Sequence, residues 1–185
     1  MLDADIREPL FVYLETRYGK IRILEEKNIG KSRADALAVM DGAFIGVEIK
    51  SDGDTYTRLK SQVRDYNKYC NLNYIAVGES HKKHVEEHIP PFWGILVIFR
   101  DSENHHVRIE ELKAAQSNPK AVLKHQMSLL WRNELAGILR ANKMPKYTNL
   151  SKKTICERLM GKIPPETLLF QITDELFERD YTVYD

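Results

Sequence analysis

The stretch "RADALAVMDGAFIGVEIK", residues 33–50, decides the fold of this chain. It holds two apolar runs, residues 33–40 and 43–50, and they are joined by the dipeptide Asp41-Gly42. Asp-Gly between apolar runs is a strong signal for a hairpin with a two-residue turn. The stretch therefore predicts two antiparallel strands that lie side by side in a sheet.

The predicted turn also fixes which residues face each other across the hairpin. Met40 pairs with Ala43, and counting outward from the turn places Asp35 directly opposite Glu48. Directly opposed residues share a face of the sheet, with Cβ atoms about 4.5–5.5 Å apart. Lys50 lies on the face of Glu48, because side chains alternate along a strand. A β-bulge in either strand would shift the register and break this pairing.

Two opposed carboxylates repel each other and resist burial, so the pairing of Asp35 and Glu48 calls for a compensating group. A divalent cation such as Mg²⁺, which prefers oxygen ligands, removes the penalty. Lys50 would then orient a water or stabilise charge on a reacting phosphate. The spacing leaves a second interpretation open, a solvated polar edge in which Lys50 neutralises one of the two carboxylates.

Glu-x-Lys occurs twice more in the chain, as Glu25-x-Lys27 and Glu111-x-Lys113. No Asp-bearing hairpin partner is evident for the first. The second precedes a predicted helical region, where such a pair is ordinary surface chemistry. Only the occurrence in residues 48–50 has a candidate partner on a neighbouring strand.

The other segments predict an α/β core over residues 1–110. A helix is expected over 5–18, a first strand over 20–26, and a helix with an apolar stripe over 55–70. The remaining core elements are a strand, a helix and two strands. Their expected ranges are 72–78, 80–88, 94–100 and 105–110.

Residues 111–185 are expected to form a helical extension of this core. Asn118-Pro119 is a helix-start signal, and the pattern predicts one long helix over 118–142. Two shorter helices follow over 151–160 and 165–179. The fold class is thus α/β, with a sheet core and C-terminal helices.

The stretch of residues 32–78 resembles the PD-(D/E)XK nuclease superfamily, which has the restriction-endonuclease-like fold. It looks closest to bacterial branches that include the MmcB-like DNA repair proteins. The resemblance implies an αβββαβ core with a mixed central sheet flanked by helices. It also implies a site for Mg²⁺ or Mn²⁺ in which Asp35 and Glu48 hold the metal. By the same resemblance, Lys50 is expected as the third catalytic residue, and the carbonyl of Ile49 is a further expected ligand.

RecB-like members of the superfamily carry Gln-x-x-x-Tyr on the following helix, and Gln62 and Tyr66 match this pattern. The two lie about one turn apart, so both can face the same site. The alternatives are a surface amide for Gln62 and core packing for Tyr66. An additional acidic residue of the superfamily has several candidates here. Glu25 and Glu26 are favoured over two acids on the first helix, Glu8 and Glu15.

Bulk properties bound the function without identifying it. The chain has 185 residues, 43% hydrophobic and 30% charged, and a net charge of +1. This balance is typical of a globular protein and excludes a strongly basic nucleic-acid binder. No apolar run approaches the length of a membrane span, and the N-terminus lacks the apolar segment of a signal peptide. Cys70 and Cys156 lie far apart, which favours a reduced, cytoplasmic protein.

Three further features each have two interpretations. His84 and His88 have the i, i+4 spacing of a zinc pair, but no third ligand is evident, and a solvated helix face is the simpler interpretation. The helix over 55–70 is basic, which suits phosphate contacts or mere solubility. The pair of helices over 151–179 has the outline of a DNA-reading module, although a packing hairpin is the commoner use of such a pair.

The function expected from the resemblance is a Mg²⁺-dependent nuclease that hydrolyses DNA phosphodiester bonds. DNA repair, or defence against or by mobile elements, is the expected setting. DNA is the expected partner, with no membrane, and a homodimer or a protein partner stays open. The alternative is a nuclease-like module that binds DNA or a protein without cutting, and a more distant one is an RNA-acting relative.

Overall fold

The computed structural model of this chain describes residues 3–101 and 106–180. Its elements are, in chain order, α1 (Asp3–Tyr18), β1 (Arg22–Ile29), β2 (Ser32–Met40), β3 (Ala43–Lys50), α2 (Leu59–Tyr69), β4 (Leu72–Gly78), β5 (Gly94–Arg100), β6 (Val107–Lys113), α3 (Leu123–Ser128), α4 (Arg132–Ala141), α5 (Lys152–Met160) and α6 (Pro165–Phe177). Two short 3₁₀ helices, Glu79–His81 and Val85–His88, lie between β4 and β5.

The strands form one mixed sheet in the order β1-β2-β3-β4-β5-β6. β3, β4 and β5 are parallel to one another, and the other neighbouring pairs are antiparallel. α2 crosses from β3 to β4, as a parallel connection requires. The αβββαβ order expected for the core is present from α1 to β4, and the predicted α/β fold class is confirmed.

Helices cover both faces of the sheet. On one face α1 buries Ile6, Leu10 and Leu14, whose i, i+4, i+8 spacing makes one apolar stripe. On the other face, Tyr66 of α2 packs in a cluster with strand residues such as Phe44 and with the C-terminal helices. The protein is therefore a three-layer structure whose sheet is buried on both sides.

The C-terminal helices belong to the helical layer on the α2 face of the sheet. α5 and α6 contribute Ile155, Leu159, Leu168 and Ile172 to the cluster that covers the sheet. Of the two interpretations of residues 151–179, this burial favours the packing hairpin. β6 runs to Lys113, so the predicted division of the chain at residue 110 falls inside a strand.

The helix expected over 118–142 is wrong as one element, because two other contacts interrupt it. Asn118 donates from Nδ2 to the carbonyls of Asn67 and Cys70, at 2.8 and 2.6 Å, which docks this segment on the end of α2. Further on, the Trp131 amide donates to the Glu134 carboxylate at 2.5 Å and starts α4 anew. Trp131 is half-buried under the guanidinium of Arg179.

Other boundaries also differ from the expected ones. The helix expected over 80–88 is two 3₁₀ turns, since Asp52 accepts from the amide and hydroxyl of Ser80 and holds the first of them. α2 starts at Leu59 rather than near residue 55, after a turn in which Asp54 accepts from Ser51. Among the described residues, no helix is both long and apolar enough to cross a membrane.

Candidate metal centre at the end of the central hairpin

The β2–β3 hairpin has the predicted register. Met40 pairs with Ala43, and the ladder continues pair by pair to Ala36 opposite Val47. The registered pairs end there, one step before Asp35 and Glu48. Asp35 instead turns its carboxylate to the neighbouring strand, where Oδ2 accepts from the Ile49 amide at 2.7 Å. The carboxylate of Asp35 thus lies against the backbone of β3 beside Glu48.

Glu48 is the most enclosed acid of the site. Its side chain is 1% exposed, and its Oε1 lies 2.6 Å from Nζ of Lys50, which is itself 8% exposed. Nε2 of Gln62 donates to the same Oε1. Gly46, two residues before Glu48, faces the Tyr66 ring of α2, so by strand alternation Glu48 and Lys50 face this helix too. The structure therefore brings Glu48, Lys50 and Gln62 together, as the sequence predicted.

Two oxygens of this cluster have no hydrogen-bond partner among the described residues. They are Oε2 of Glu48 and Oε1 of Gln62, and both are buried. Burial raises the pKa of the Glu48 carboxyl, and the opposing effect of Lys50 does not fully compensate. A buried oxygen without a donor is costly, and a bound cation would satisfy it.

The donor set suits a hard divalent cation. Asp35, Glu48 and the carbonyl of Ile49 would supply oxygen ligands, and Mg²⁺ normally completes its shell with water and substrate oxygens. Within the described part of the chain, no three His, Cys, Asp or Glu side chains group as a metal cage. The protein's share of such a site is thus two carboxylates and a backbone oxygen.

Tyr66 joins the two strands where their ladder stops. Its hydroxyl donates to the Val47 carbonyl at 2.9 Å and accepts from the Asp35 amide at 3.2 Å. Burial raises the pKa of this phenol well above its ordinary value, and the charges of Glu48 and Asp35 raise it further. Tyr66 therefore stays protonated and acts as a clamp, and both carboxylates lie within electrostatic reach of its hydroxyl.

Glu25 and Glu26 lie on β1 and contact arginines. Arg7 of α1 donates to both, at 2.9 Å to Glu25, and Arg33 lies 2.5 Å from Glu26. Glu26 has a φ of 50°, which breaks the regular alternation of β1. Arg7 also donates to the Asp35 carbonyl at 3.4 Å. The two glutamates are thus near Asp35 but are charge-paired, and the alternative acids Glu8 and Glu15 are exposed on α1.

The histidine pair has no metal-site geometry among the residues described. His84 lies 3.2 Å from Glu87 on the surface. The ring of His88 stacks on Tyr56 with centroids 4.2 Å apart. Because the helix expected to carry both residues does not form, their i, i+4 spacing does not put them on one face.

A cleft of about 330 Å³ opens beside the carboxylates. Its lining residues are Lys31, Ser32, Arg33, Asp35, Arg58, Ser61 and Gln62. The sequence predicted Asp35 and Gln62 as site residues but missed the turn that carries Lys31 and Ser32. The available signal was Gly30, which marks a turn directly before β2.

Residues 4–182 match the family model described as bacteriophage P4 protein cII. None of the curated proteins matches the sequence. Among solved structures, the chain is similar to SfsA of Pyrococcus furiosus in complex with Ca²⁺, at 15% sequence identity and a TM-score of 0.37. The similarity covers 60% of this chain and 61% of that one, so the chain spans less than two thirds of SfsA. Likeness at this level is too weak to say anything about function.

Proposed function

This chain belongs to the bacteriophage P4 protein cII family, and we propose that it is a nuclease that hydrolyses DNA phosphodiester bonds with Mg²⁺ or Mn²⁺. One observation carries the proposal. The buried carboxylate of Glu48 has an oxygen without a partner among the described residues, and it lies beside Lys50 on the strand whose Ile49 amide binds Asp35. The match of residues 32–78 to the PD-(D/E)XK pattern supports the choice of nuclease chemistry and of DNA as the substrate.

The metal would be held by Asp35, Glu48 and the Ile49 carbonyl. When bound, such an ion supplies Lewis acidity toward a phosphoryl oxygen and makes water nucleophilic near neutral pH. The Asp35 carboxylate is oriented by the Ile49 amide, which donates to Oδ2 at 2.7 Å. The acids contribute charge that is fixed before substrate arrives, so little reorganisation is needed during the reaction.

Lys50 has two tasks in this proposal. In the free protein its ammonium neutralises Glu48 at 2.6 Å. With substrate present, the same ammonium orients the attacking water or donates to the phosphate as negative charge builds up on it. Gln62 holds Oε1 of Glu48 in place, and Tyr66 fixes the separation of β2 and β3. These last two are positioning residues.

A non-cleaving module that binds DNA or a protein is the second candidate. It is favoured by the contacts of Oε1 of Glu48, which Lys50 and Gln62 already satisfy without a metal. Retention of Asp35, Glu48 and Lys50 in one place argues against it, because binding alone does not need that set. A role in DNA repair, or in defence against or by mobile elements, fits the nuclease proposal.

A cleavage assay on single- and double-stranded DNA, with Mg²⁺, Mn²⁺ or EDTA, tests the proposal. We expect metal-dependent cleavage that is lost in Asp35→Asn and Lys50→Ala. Lys113→Ala is the matched control, since Lys113 belongs to a Glu-x-Lys pair outside the site, and it should cleave normally. Equal cleavage by all four proteins would reject the assigned residues. DNA binding by the wild type without any cleavage would instead favour the binding module.

A further inference from the structure

We infer that the cleft beside the carboxylates is a phosphate-binding subsite, in which Lys31 and Arg58 hold the sugar-phosphate backbone of the strand next to the scissile bond. The inference rests on the proposed function, because it places the substrate in the same site. It goes further in naming the residues that bind the strand and in predicting that they read no base sequence. Asp35 and Gln62 form the part of the cleft wall that adjoins the metal centre.

The charges that line the cleft suit an anion. Lys31 and Arg58 are exposed, and neither forms an ion pair within the described residues. Arg33 also lines the cleft, but its guanidinium lies 2.5 Å from Glu26 and is already engaged. Asp35 is the acid among the lining residues, and a metal there would offset its charge. Two unengaged cations therefore face the position that a phosphate next to the metal would occupy.

The N-terminus of α2 adds to the positive electrostatic potential of the cleft. Arg58 is the N-cap residue of this helix of 11 residues, no side chain caps its first turn, and that turn contains no acid. The N-terminus of a helix carries a partial positive charge. Because Arg58 and Ser61 of this first turn line the cleft, the helix end faces the same space as the two cations.

The cleft wall formed by the β1–β2 turn is fixed in position by hydrogen bonds to α2. Asp65 of α2 is 3% exposed, and its Oδ2 accepts from the Lys31 amide at 3.1 Å and from the Ser32 hydroxyl at 2.8 Å. Gly30, with a φ of +63°, passes so close that an added Cβ would lie 3.1 Å from the Asp65 carboxylate. The β1–β2 turn is thereby fixed to the same helix whose first turn carries Arg58.

Contacts of this kind go to the sugar-phosphate backbone. A cation on a phosphate carries no information about base identity, so the subsite positions any strand equally. Each phosphate contact also releases counterions, and the logarithm of the affinity then falls by about 0.9 per log unit of salt for duplex DNA and about 0.7 for a single strand. Removing both cations should therefore flatten the salt dependence by about 1.8 and about 1.4 respectively.

The test is the salt dependence of DNA binding, measured by fluorescence anisotropy with labelled oligonucleotides of two unrelated sequences. Binding is measured in EDTA and, in parallel, with Ca²⁺. We expect the double variant Lys31→Ala/Arg58→Ala to bind DNA more weakly than the wild type. Its affinity should also depend less steeply on salt concentration, and both changes should be equal for the two sequences. Lys120→Ala/Lys162→Ala removes two exposed lysines outside the cleft and is the control, with an unchanged slope. Urea unfolding of both double variants verifies that they are folded.

Three results would overturn the subsite. They are an unchanged slope in the cleft variant, an equal change in the control, and a wild type that binds neither oligonucleotide. Failure of the nuclease proposal gives a different result. The wild type would then bind DNA, its salt dependence would depend on Lys31 and Arg58, and it would not cleave DNA. Cleavage without any effect of Lys31 and Arg58 on binding would leave the nuclease proposal standing and remove the subsite.

Discussion

The carboxylate of Asp35 binds the backbone of Ile49 across the hairpin, with Oδ2 2.7 Å from the amide nitrogen. The side chain thus takes the place of the next backbone pair, after the ladder has ended at Ala36 and Val47. Oδ2 of Asp35 serves the fold through this hydrogen bond, and the nuclease proposal gives the carboxylate a second role as a metal ligand. The two roles are separable by substitution.

Asp35→Asn should keep the fold and lose the proposed metal site. The asparagine carbonyl still accepts from the Ile49 amide, so the free energy of unfolding should change by less than about 0.5 kcal/mol. Asp35→Ala removes the acceptor and should cost about 0.5–1.5 kcal/mol. Urea unfolding of the three proteins measures both values. Equal loss of stability in the two variants would contradict the assigned hydrogen bond.

Mg²⁺ should stabilise the wild type and leave Asp35→Asn unaffected. A ligand that binds only the folded state at ten times its Kd raises the free energy of unfolding by about 1.4 kcal/mol. Thermal unfolding with and without Mg²⁺ measures the effect. Glu25→Gln is the matched control, because Glu25 is paired with Arg7, and it should respond to Mg²⁺ like the wild type. A lost response in Glu25→Gln would identify Glu25 as the additional acid of the site.

Gly46→Ala should destabilise the protein, because the added methyl group would crowd Tyr66 and Cys70. An added Cβ would lie 2.5 Å from Cδ1 of Tyr66 and 2.7 Å from Sγ of Cys70. Both residues are fully buried, so the expected cost is about 1–3 kcal/mol in urea unfolding. Gly53→Ala is the control, since an added Cβ there meets nothing within 4 Å. Similar effects of the two substitutions would show that Tyr66 can move without penalty.

Arg7→Lys should destabilise the protein although it keeps the charge, because it weakens the hydrogen bonds that join α1 to β1. The guanidinium donates to Glu25, Glu26 and the Asp35 carbonyl, and an ammonium cannot reproduce this fork. We expect a loss of about 1–2 kcal/mol in the free energy of unfolding. Arg17 on the same helix lies 3.8 Å from Glu111 and 5.3 Å from the centroid of the Tyr18 ring. A lysine keeps the charge for both contacts, so Arg17→Lys should leave stability unchanged. A loss in Arg17→Lys as large as that in Arg7→Lys would speak against this role of Arg7.

Glu175→Gln should stabilise the protein near neutral pH. Burial, followed by the charges of Glu134 and Asp174, raises the pKa of Glu175 above its ordinary value of 4.5. The folded state then holds this proton more tightly than the unfolded chain, so stability falls as pH rises through the folded pKa. Glutamine has no proton to lose, and the partly exposed site limits the gain to less than about 1 kcal/mol. Thermal unfolding measured across pH should show that the wild type and Glu175→Gln are equally stable below pH 4.5 and that the variant is more stable above it. A stability difference that does not vary with pH would contradict this prediction.

The central hairpin was predictable because its signal is local. Asp41-Gly42 sets the turn, and the turn sets the register as far as Ala36 and Val47. The same rule cannot reveal that Asp35 leaves the ladder to bind Ile49. That depends on Tyr66, which enters from a helix 31 residues further along the chain.

The missed elements depend on partners distant in sequence. The break between α3 and α4 contains neither glycine nor proline, so no local signal marks it. It is stabilised by Glu134, whose carboxylate holds the Trp131 amide and also pairs with Arg179, 45 residues away. Likewise, the arginine partners of Glu25 and Glu26 lie on α1 and β2, and periodicity within β1 gives no sign of them.

The contact of α6 with the tip of the central hairpin has a consequence for how the chain folds. Thr173 accepts from the Gly42 amide across 131 residues, and the Phe170 ring packs on the same turn. Closing so long a loop is slow, and folds rich in such contacts fold slowly. During synthesis, the hairpin that carries Asp35 and Glu48 therefore stays without the support of α6 until that helix has left the ribosome. We expect a chain that ends before α6 to expose the hairpin tip and to be degraded faster by added protease than the full chain.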